Sequence, residues 1–174
     1  MKNLPENELI HLILRKIPIV FWTVDKNLKY TSSFGGGLKD LGLKENQVVG
    51  QSLFEYFQTD DENFLPIDAH LKALQGEKCE YIFRFGKLTF KSYVEPIYNE
   101  QNEIVGVIGF AINITEQEII YENLKVSEAK YKALFESADD AIFLMDGEIF
   151  IDCNSAILRM FNCNRDDIIG QPLY

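Results

Sequence analysis

Positive charge is scarce in this chain. Lysines and arginines number 17 against 27 aspartates and glutamates, a formal net charge of −10. No local basic run offsets that balance, which argues against nucleic acid as a partner. Long apolar runs are lacking too. The longest, 17–24 and 104–112, are too short to cross a bilayer. The opening MKNLPENELI is polar and acidic, unlike a secretory leader. Only three cysteines occur, Cys79, Cys153 and Cys163, with no CxxC spacing. An odd, unclustered set suits free thiols in a reducing cytosol better than a disulfide framework. These features imply a cytoplasmic chain, or the cytoplasmic part of a larger receptor.

What is present is globular. Of the 174 residues, 47% are hydrophobic and 13% aromatic, enough for one domain with a core and part of another. Residues 4–17 read as a helix, with Leu9, Ile10, Ile13 and Ile17 at helical spacing and Pro5 near its start. Pro18 ends it. IVFWTVD (19–25) predicts a strand and LKYTSS (28–33) its hairpin partner across DKN. GLKDLGL, KENQVVG and SLFEYFQ lean helical. A helix is expected over 61–75, with Phe64, Ile67, Leu71 and Leu74 on one face and Asp60 or Asp61 as its cap. After Gly76 the period changes to two. CEYIFRF and LTFKSYVEPIY flank Gly86-Lys87, a two-residue hairpin loop. NEQNE is a turn in which Asn102 can take the left-handed conformation. IVGVIGFAINI (104–114) is apolar on both faces and reads as a central strand covered on both sides. Two strands, short helices and three more strands make an α+β fold with an antiparallel sheet.

From 115 to about 135 the pattern is helical without Gly or Pro. Ile120, Leu124, Ser127, Tyr131 and Leu134 follow a 4, 3, 4, 3 spacing. That is a coiled-coil seam, interrupted at Ser127, and it predicts a homodimer. The alternative is an amphipathic linker helix packed on its own domain.

A repeat follows. VVGQSLF at 48–54 returns as IIGQPLY at 168–174. Each copy opens with an apolar strand ending in Asp (Asp25, Asp146), turns into a second strand, and runs through small helical pieces to this motif. The intervals from Asp25 to Gly50 and from Asp146 to Gly170 differ by one residue, which the tight Asp146-Gly147 turn accounts for. Residues 138–174 are therefore expected to be the first part of a second copy, and the chain a piece of a longer protein. A hairpin without its remaining strands is marginal in water, so this part is expected to be loosely held or to pair through its open edge.

The segment YVEPIYNEQNEIVGVIGFAINITEQE (93–118), followed by SEAKYKALFESADDAIFLMD (127–146), resembles PAS sensory domains. These occur in tandem in bacterial and archaeal sensor histidine kinases and diguanylate cyclases. The resemblance implies a five-stranded antiparallel sheet with helices on one face, a long linker helix and a truncated second copy. The expected domains are an N-terminal helix (1–17), a complete domain (18–115), a linker (115–137) and a partial domain (138–174). It also implies a small-molecule pocket between sheet and helices, and a signal leaving along the C-terminal helix to a downstream output domain. The usual exit motif is Asp-Ile-Thr-Glu. Here it is Asn113-Ile114-Thr115-Glu116, and if the motif works through a charge pair, Asn113 weakens it.

Trp22, His70, Phe83 and Ser92 are the candidate pocket residues, although alternation alone does not say which strand face is inward. His70 borders the apolar face of its helix. It could be an axial haem ligand, or a histidine bonded at the pocket rim or meeting solvent, and it has no metal partner in the sequence. His11 lacks a phosphoacceptor setting and reads as an ordinary helix residue. Cys79 and Cys153 do not sit in the Asn-Cys-Arg-Phe-Leu context of light-sensing flavin domains, so flavin photochemistry is not expected and buried free thiols are. SSFGGGL (32–38) lacks the Gly-Lys-Ser/Thr of a phosphate loop and reads as a flexible turn. TDDEN (59–63) lacks the calcium-loop pattern and reads as a cap. No hydrolase, kinase or cyclase signature is found, so no enzyme activity is expected of this chain. The sequence leaves two functions open: a ligand sensor, or a ligand-free module that dimerises and spaces its neighbours.

Overall fold

The computed structural model describes residues 6–173. It forms two compact units, Met1–Glu118 and Ile119–Tyr174. Pro5 and Tyr174, used above for a helix start and for the repeated motif, lie outside the described residues, as do the side chains of His11 and a few neighbours.

In the first unit, α1 (Glu6–Lys16) leads into β1 (Ile19–Asp25) and β2 (Tyr30–Phe34). A 3-10 turn (Gly36–Leu41) and two short helices, α2 (Leu53–Phe57) and α3 (Leu65–Leu74), come next. Then come β3 (Cys79–Phe85), β4 (Leu88–Tyr98) and β5 (Ile104–Asn113). The five strands form one antiparallel sheet in the order β2-β1-β5-β4-β3. The last strand of this unit thus inserts beside the first and closes the sheet around a long-range pairing. The α+β fold and its five-stranded sheet are as expected.

Several boundaries differ, for local reasons. β2 begins at Tyr30 and not at residue 28, because Leu28 turns left-handed (φ 58°). Asp25 Oδ1 instead caps the turn, accepting from the amides of Asn27 and Lys29. KENQVVG forms successive turns without a helix. α3 starts four residues later than expected and has no side-chain cap; Phe64 precedes it and Pro66 sits in its first turn. Asp61 spends its carboxylate on the amide of Asn63. Gly35–Gly37 are not a flexible turn. They press against the backbone of residues 15–20, where a Cβ on any of them would meet an atom at 2.9 Å or less. Asn102 takes the expected left-handed conformation (φ 61°).

The core lies between the inward sheet face and α2, α3 and the 3-10 turn. Val20, Trp22 and Val24 of β1 alternate with outward residues, and Val107 and Ala111 do the same on β5. The other face of β5 is not covered as fully as expected: Ile108 is exposed and Phe110 and Ile112 are only half-buried, while α3 packs on the inner side.

α4 (Thr115–Ser137) leaves β5 as one continuous helix. The second unit contains the rest of it, a two-stranded sheet of β6 (Phe143–Asp146) and β7 (Ile149–Cys153), α5 (Ser155–Phe161) and a 3-10 turn (Arg165–Asp167). The repeat is written in its hydrogen bonds. In the first copy the Tyr30 amide donates to Gln51 O, the Gly50 amide to Tyr30 O and the Leu53 amide to Leu28 O. In the second, Phe150 donates to Gln171 O, Gly170 to Phe150 O and Leu173 to Glu148 O. No described helix is long and apolar enough to cross a membrane.

Candidate functional site

The antiparallel register gathers the candidate residues. Trp22 lies opposite Ser33 and Gly109, and Ser92 lies opposite Ala111 and Tyr81. All project to the inner face, as does Phe83 opposite Phe90. A cavity of about 80 Å³ sits there between sheet and helices, and Trp22, His70, Phe83 and Ser92 all line it. Pro66 from α3, Leu38 and Leu41 from the 3-10 turn and Tyr56 and Phe57 from α2 close it from the other side.

His70 is not at a rim. It is 1% exposed, on the buried stripe of α3 with Ile67 and Ala73. Its Nδ1 lies 2.6 Å from the Pro66 carbonyl, an acceptor, so Nδ1 carries the proton and donates. Its Nε2 then accepts from the indole N–H of Trp22 at 2.8 Å. Burial pushes its pKa down to about 4, against a smaller upward pull from the Pro66 carbonyl, and the ring is neutral at pH 7. A haem iron needs a free imidazole lone pair. Both ring nitrogens of His70 are engaged, so the site as built does not fit haem. No metal-ligating cluster occurs among the described residues.

Sequence reasoning missed several lining residues. Tyr30 and Tyr81 are buried, and desolvation raises both hydroxyl pKa values well above the ordinary tyrosine range. Strand alternation with Phe83 could have found Tyr81. Gly109 is the other omission: a Cβ there would lie 2.3 Å from the Trp22 ring, so the indole lies flat against β5 only because this residue has no side chain. A glycine inside a strand is the signal for such an approach. Of the two cysteines expected to be buried, Cys153 is and Cys79 is only half-buried. All three are free, but only Cys153 is fully buried.

At the far end of β5, Asn113 and Thr115 are brought together. The Thr115 hydroxyl donates to Asn113 Oδ1 at 2.6 Å and accepts from the Thr89 amide at 2.8 Å. The Thr115 amide also donates to Asn113 Oδ1, and the Ile114 amide to Thr89 O. The Asn113 amide donates to Asp40 Oδ2 at 3.0 Å. The missing charge at 113 is therefore no loss in this chain. Its neighbour is itself a carboxylate, to which an Asp could not donate. Asp40 belongs to the 3-10 turn whose Leu38 and Leu41 line the cavity, a link that nothing in the sequence announces. Glu116 is exposed in the first turn of α4, where negative charge suits the helix dipole. Ile120, Leu124, Tyr131 and Leu134 are exposed along that helix.

The comparisons with known proteins agree with this geometry. Two family models, both described as PAS domain, match residues 18–116 and 129–174. Histidine kinase 5 of Arabidopsis thaliana is 29% identical over 156 residues, covering 83% of this chain and 16% of that protein. Probable histidine kinase 1 of Oryza sativa subsp. indica is 30% identical over 132 residues, covering 71% and 13%. The chain thus spans about a sixth or less of the curated relatives it matches. Among solved structures, an RNA-binding light-oxygen-voltage receptor superposes with a TM-score of 0.52 at 12% identity, over 74% of this chain and 41% of that one. At that identity the likeness speaks for the fold alone. With a buried core under a five-stranded sheet, a repeated hydrogen-bond frame and family models matching both copies, the chain belongs to the PAS domain family.

Proposed function

We propose that this chain is the sensory part of a larger histidine-kinase-like protein. In this reading the first PAS copy binds a small molecule between sheet and helices, and its state passes along α4 to a downstream output domain. The observation that carries the reading is the polar path from cavity wall to exit helix. Leu38 and Leu41 touch the cavity, Asp40 between them holds Asn113, and Asn113 and Thr115 tie β5, β4 and the start of α4 together. A ligand that shifts the 3-10 turn would favour one of two packings at this node. A cytoplasmic setting goes with three free cysteines, and the chain itself is read as non-catalytic.

A second reading is favoured by a different observation. Ile120, Leu124, Tyr131 and Leu134 on α4 are 50–63% exposed, and α1 exposes Leu9, Ile10, Leu12 and Ile13. Apolar rows of this kind suit a homodimer that spaces its neighbours without any ligand.

Thr115→Ala in the full-length protein tests the first reading. It removes the hydroxyl that accepts from the Thr89 amide. Output activity should change under at least one stimulus while sedimentation shows the same oligomer as wild type. Unchanged output under every stimulus, in a protein that sediments as a dimer, would leave the spacing module as the better account.

A further inference from the structure

The chemistry of the cavity narrows what it can hold. No lysine, arginine, aspartate or glutamate lines it. Several of its polar groups are already paired, while Tyr30, Ser33 and Tyr56 add neutral hydroxyls. The Trp22 N–H is given to His70, the His70 N–H to Pro66, and the Tyr81 hydroxyl meets Ser92. No buried side-chain nitrogen or oxygen among the described residues lacks a partner. A charged guest would therefore find neutral hydroxyls at most and no counter-ion, and a buried unpaired charge is strongly unfavourable. The size points the same way. At about 80 Å³ the space is roughly half of a dry apolar cavity known to take benzene, at about 150 Å³. Some enlargement is at hand, because the aromatic wall of Tyr56, Phe57, Phe83 and Phe85 is only partly buried.

We propose that the cavity of the first PAS copy takes a small, uncharged, apolar molecule, up to about one aromatic ring, and rejects carboxylates, phosphates and quaternary ammonium ions. This rests on the ligand-sensor reading and gives it a ligand class. Binding is dispersion and apolar burial against a preformed wall, with the neutral His70–Trp22 pair as part of that wall. The aromatic faces could by themselves attract a cation. The cavity offers an ammonium no carboxylate to balance its charge once its water is stripped.

The protein carries its own reporter, since Trp22 is the only tryptophan and lines the cavity. The test titrates the chain with fluorobenzene, 4-fluorobenzoate and tetramethylammonium, reading Trp22 emission and, for the fluorinated probes, 19F line width. Fluorobenzene should broaden, shift the emission and raise the thermal midpoint, with the benzoate at least about a hundredfold weaker. Ala111→Leu, on the buried wall, should abolish the effect; Ala111→Val is the milder variant should Leu fail to fold. Equal or tighter binding of either charged probe, no binding of fluorobenzene, or binding that survives filling at 111 in a folded variant overturns the ligand class. The sensor reading is judged separately, by the output of Thr115→Ala, so either can fail without the other.

Discussion

The two PAS copies share a hydrogen-bond frame but not a core. In the first, the Tyr30–Gln51, Gly50–Tyr30 and Leu53–Leu28 bonds sit beside a sheet that β5, β4 and β3 complete, and Val20, Trp22 and Val24 are buried. In the second the equivalent bonds are made, yet Phe143, Leu144, Ile149 and Ile151 remain exposed. The second copy is held by local polar groups. Asn154, fully buried, donates to Asp140 O and accepts from the amides of Ile142 and Ile157. Arg165 joins Glu136 and Asp152, and Glu136 also accepts from the Ser155 amide. The difference teaches that the short repeated segment encodes its own turns and bridges, whereas burial comes from strands far along the chain.

The largest expected consequence is in hydrogen exchange. The amides of β1 and β5 should exchange only when the first unit unfolds. Those of β6 and β7 should exchange through local opening, about a thousandfold or more faster. Asn154→Ala should sharpen the contrast, costing the second copy about 2 kcal/mol or more by stranding buried backbone groups while β1 keeps its protection. Comparable protection in both copies would break the comparison and mean that the hairpin is stabilised by something other than its local bonds.

A smaller effect separates the copies by pH. His70 belongs to the first copy, and residues 138–174 contain no histidine. Its folded pKa is about 4 because burial disfavours the charged ring, below the ordinary 6.5 of an unfolded chain. Between those values the unfolded state takes up a proton that the folded state refuses. The stability is therefore fully present above about pH 6.5, falls as the pH drops towards 4, and loses no more below that. The shift corresponds to on the order of 3 kcal/mol. Denaturation of wild type and His70→Gln, followed by Trp22 fluorescence at pH 7 and 4.5, isolates this contribution from the carboxylates. Parallel pH dependence in the two proteins would show that His70 is not buried neutral.

The same contrast explains what could be read from sequence. β1, β3 and the Gly86-Lys87 loop were legible to the residue, because alternation and turn chemistry are local. The repeat was legible because its end motif lies on the Gly50 and Gly170 turns that make the frame. Trp22, His70, Phe83 and Ser92 could be named, but not placed on a common face, since that depends on β5 pairing with β1 and β4. The Trp22–His70 bond, 48 residues apart, and the Asp40–Asn113 bond, 73 apart, have no local trace. The late start of α3 was misjudged because acidic residues before a helix suggest a cap, while Asp61 found a nearer amide.

The smallest effect concerns Asn113, at the end of the strand that completes the first copy. The usual Asp of the family would be the wrong residue in this chain, because Asp40 is already there. Asn113→Asp would replace a donor 3.0 Å from a carboxylate by a second carboxylate. It would keep the acceptor that the Thr115 amide and hydroxyl use. The site is exposed, so the loss should be only about 0.5–1 kcal/mol at low salt and should shrink as ionic strength rises. Asp40→Asn in the same protein exchanges the two groups, putting an amide at 40 and a carboxylate at 113, and should restore the midpoint. Thermal unfolding of wild type, both single variants and the swap at two salt concentrations closes the cycle. If the swap is no more stable than Asn113→Asp, the contact contributes nothing, and the proposed path from cavity wall to exit helix loses its Asp40–Asn113 step.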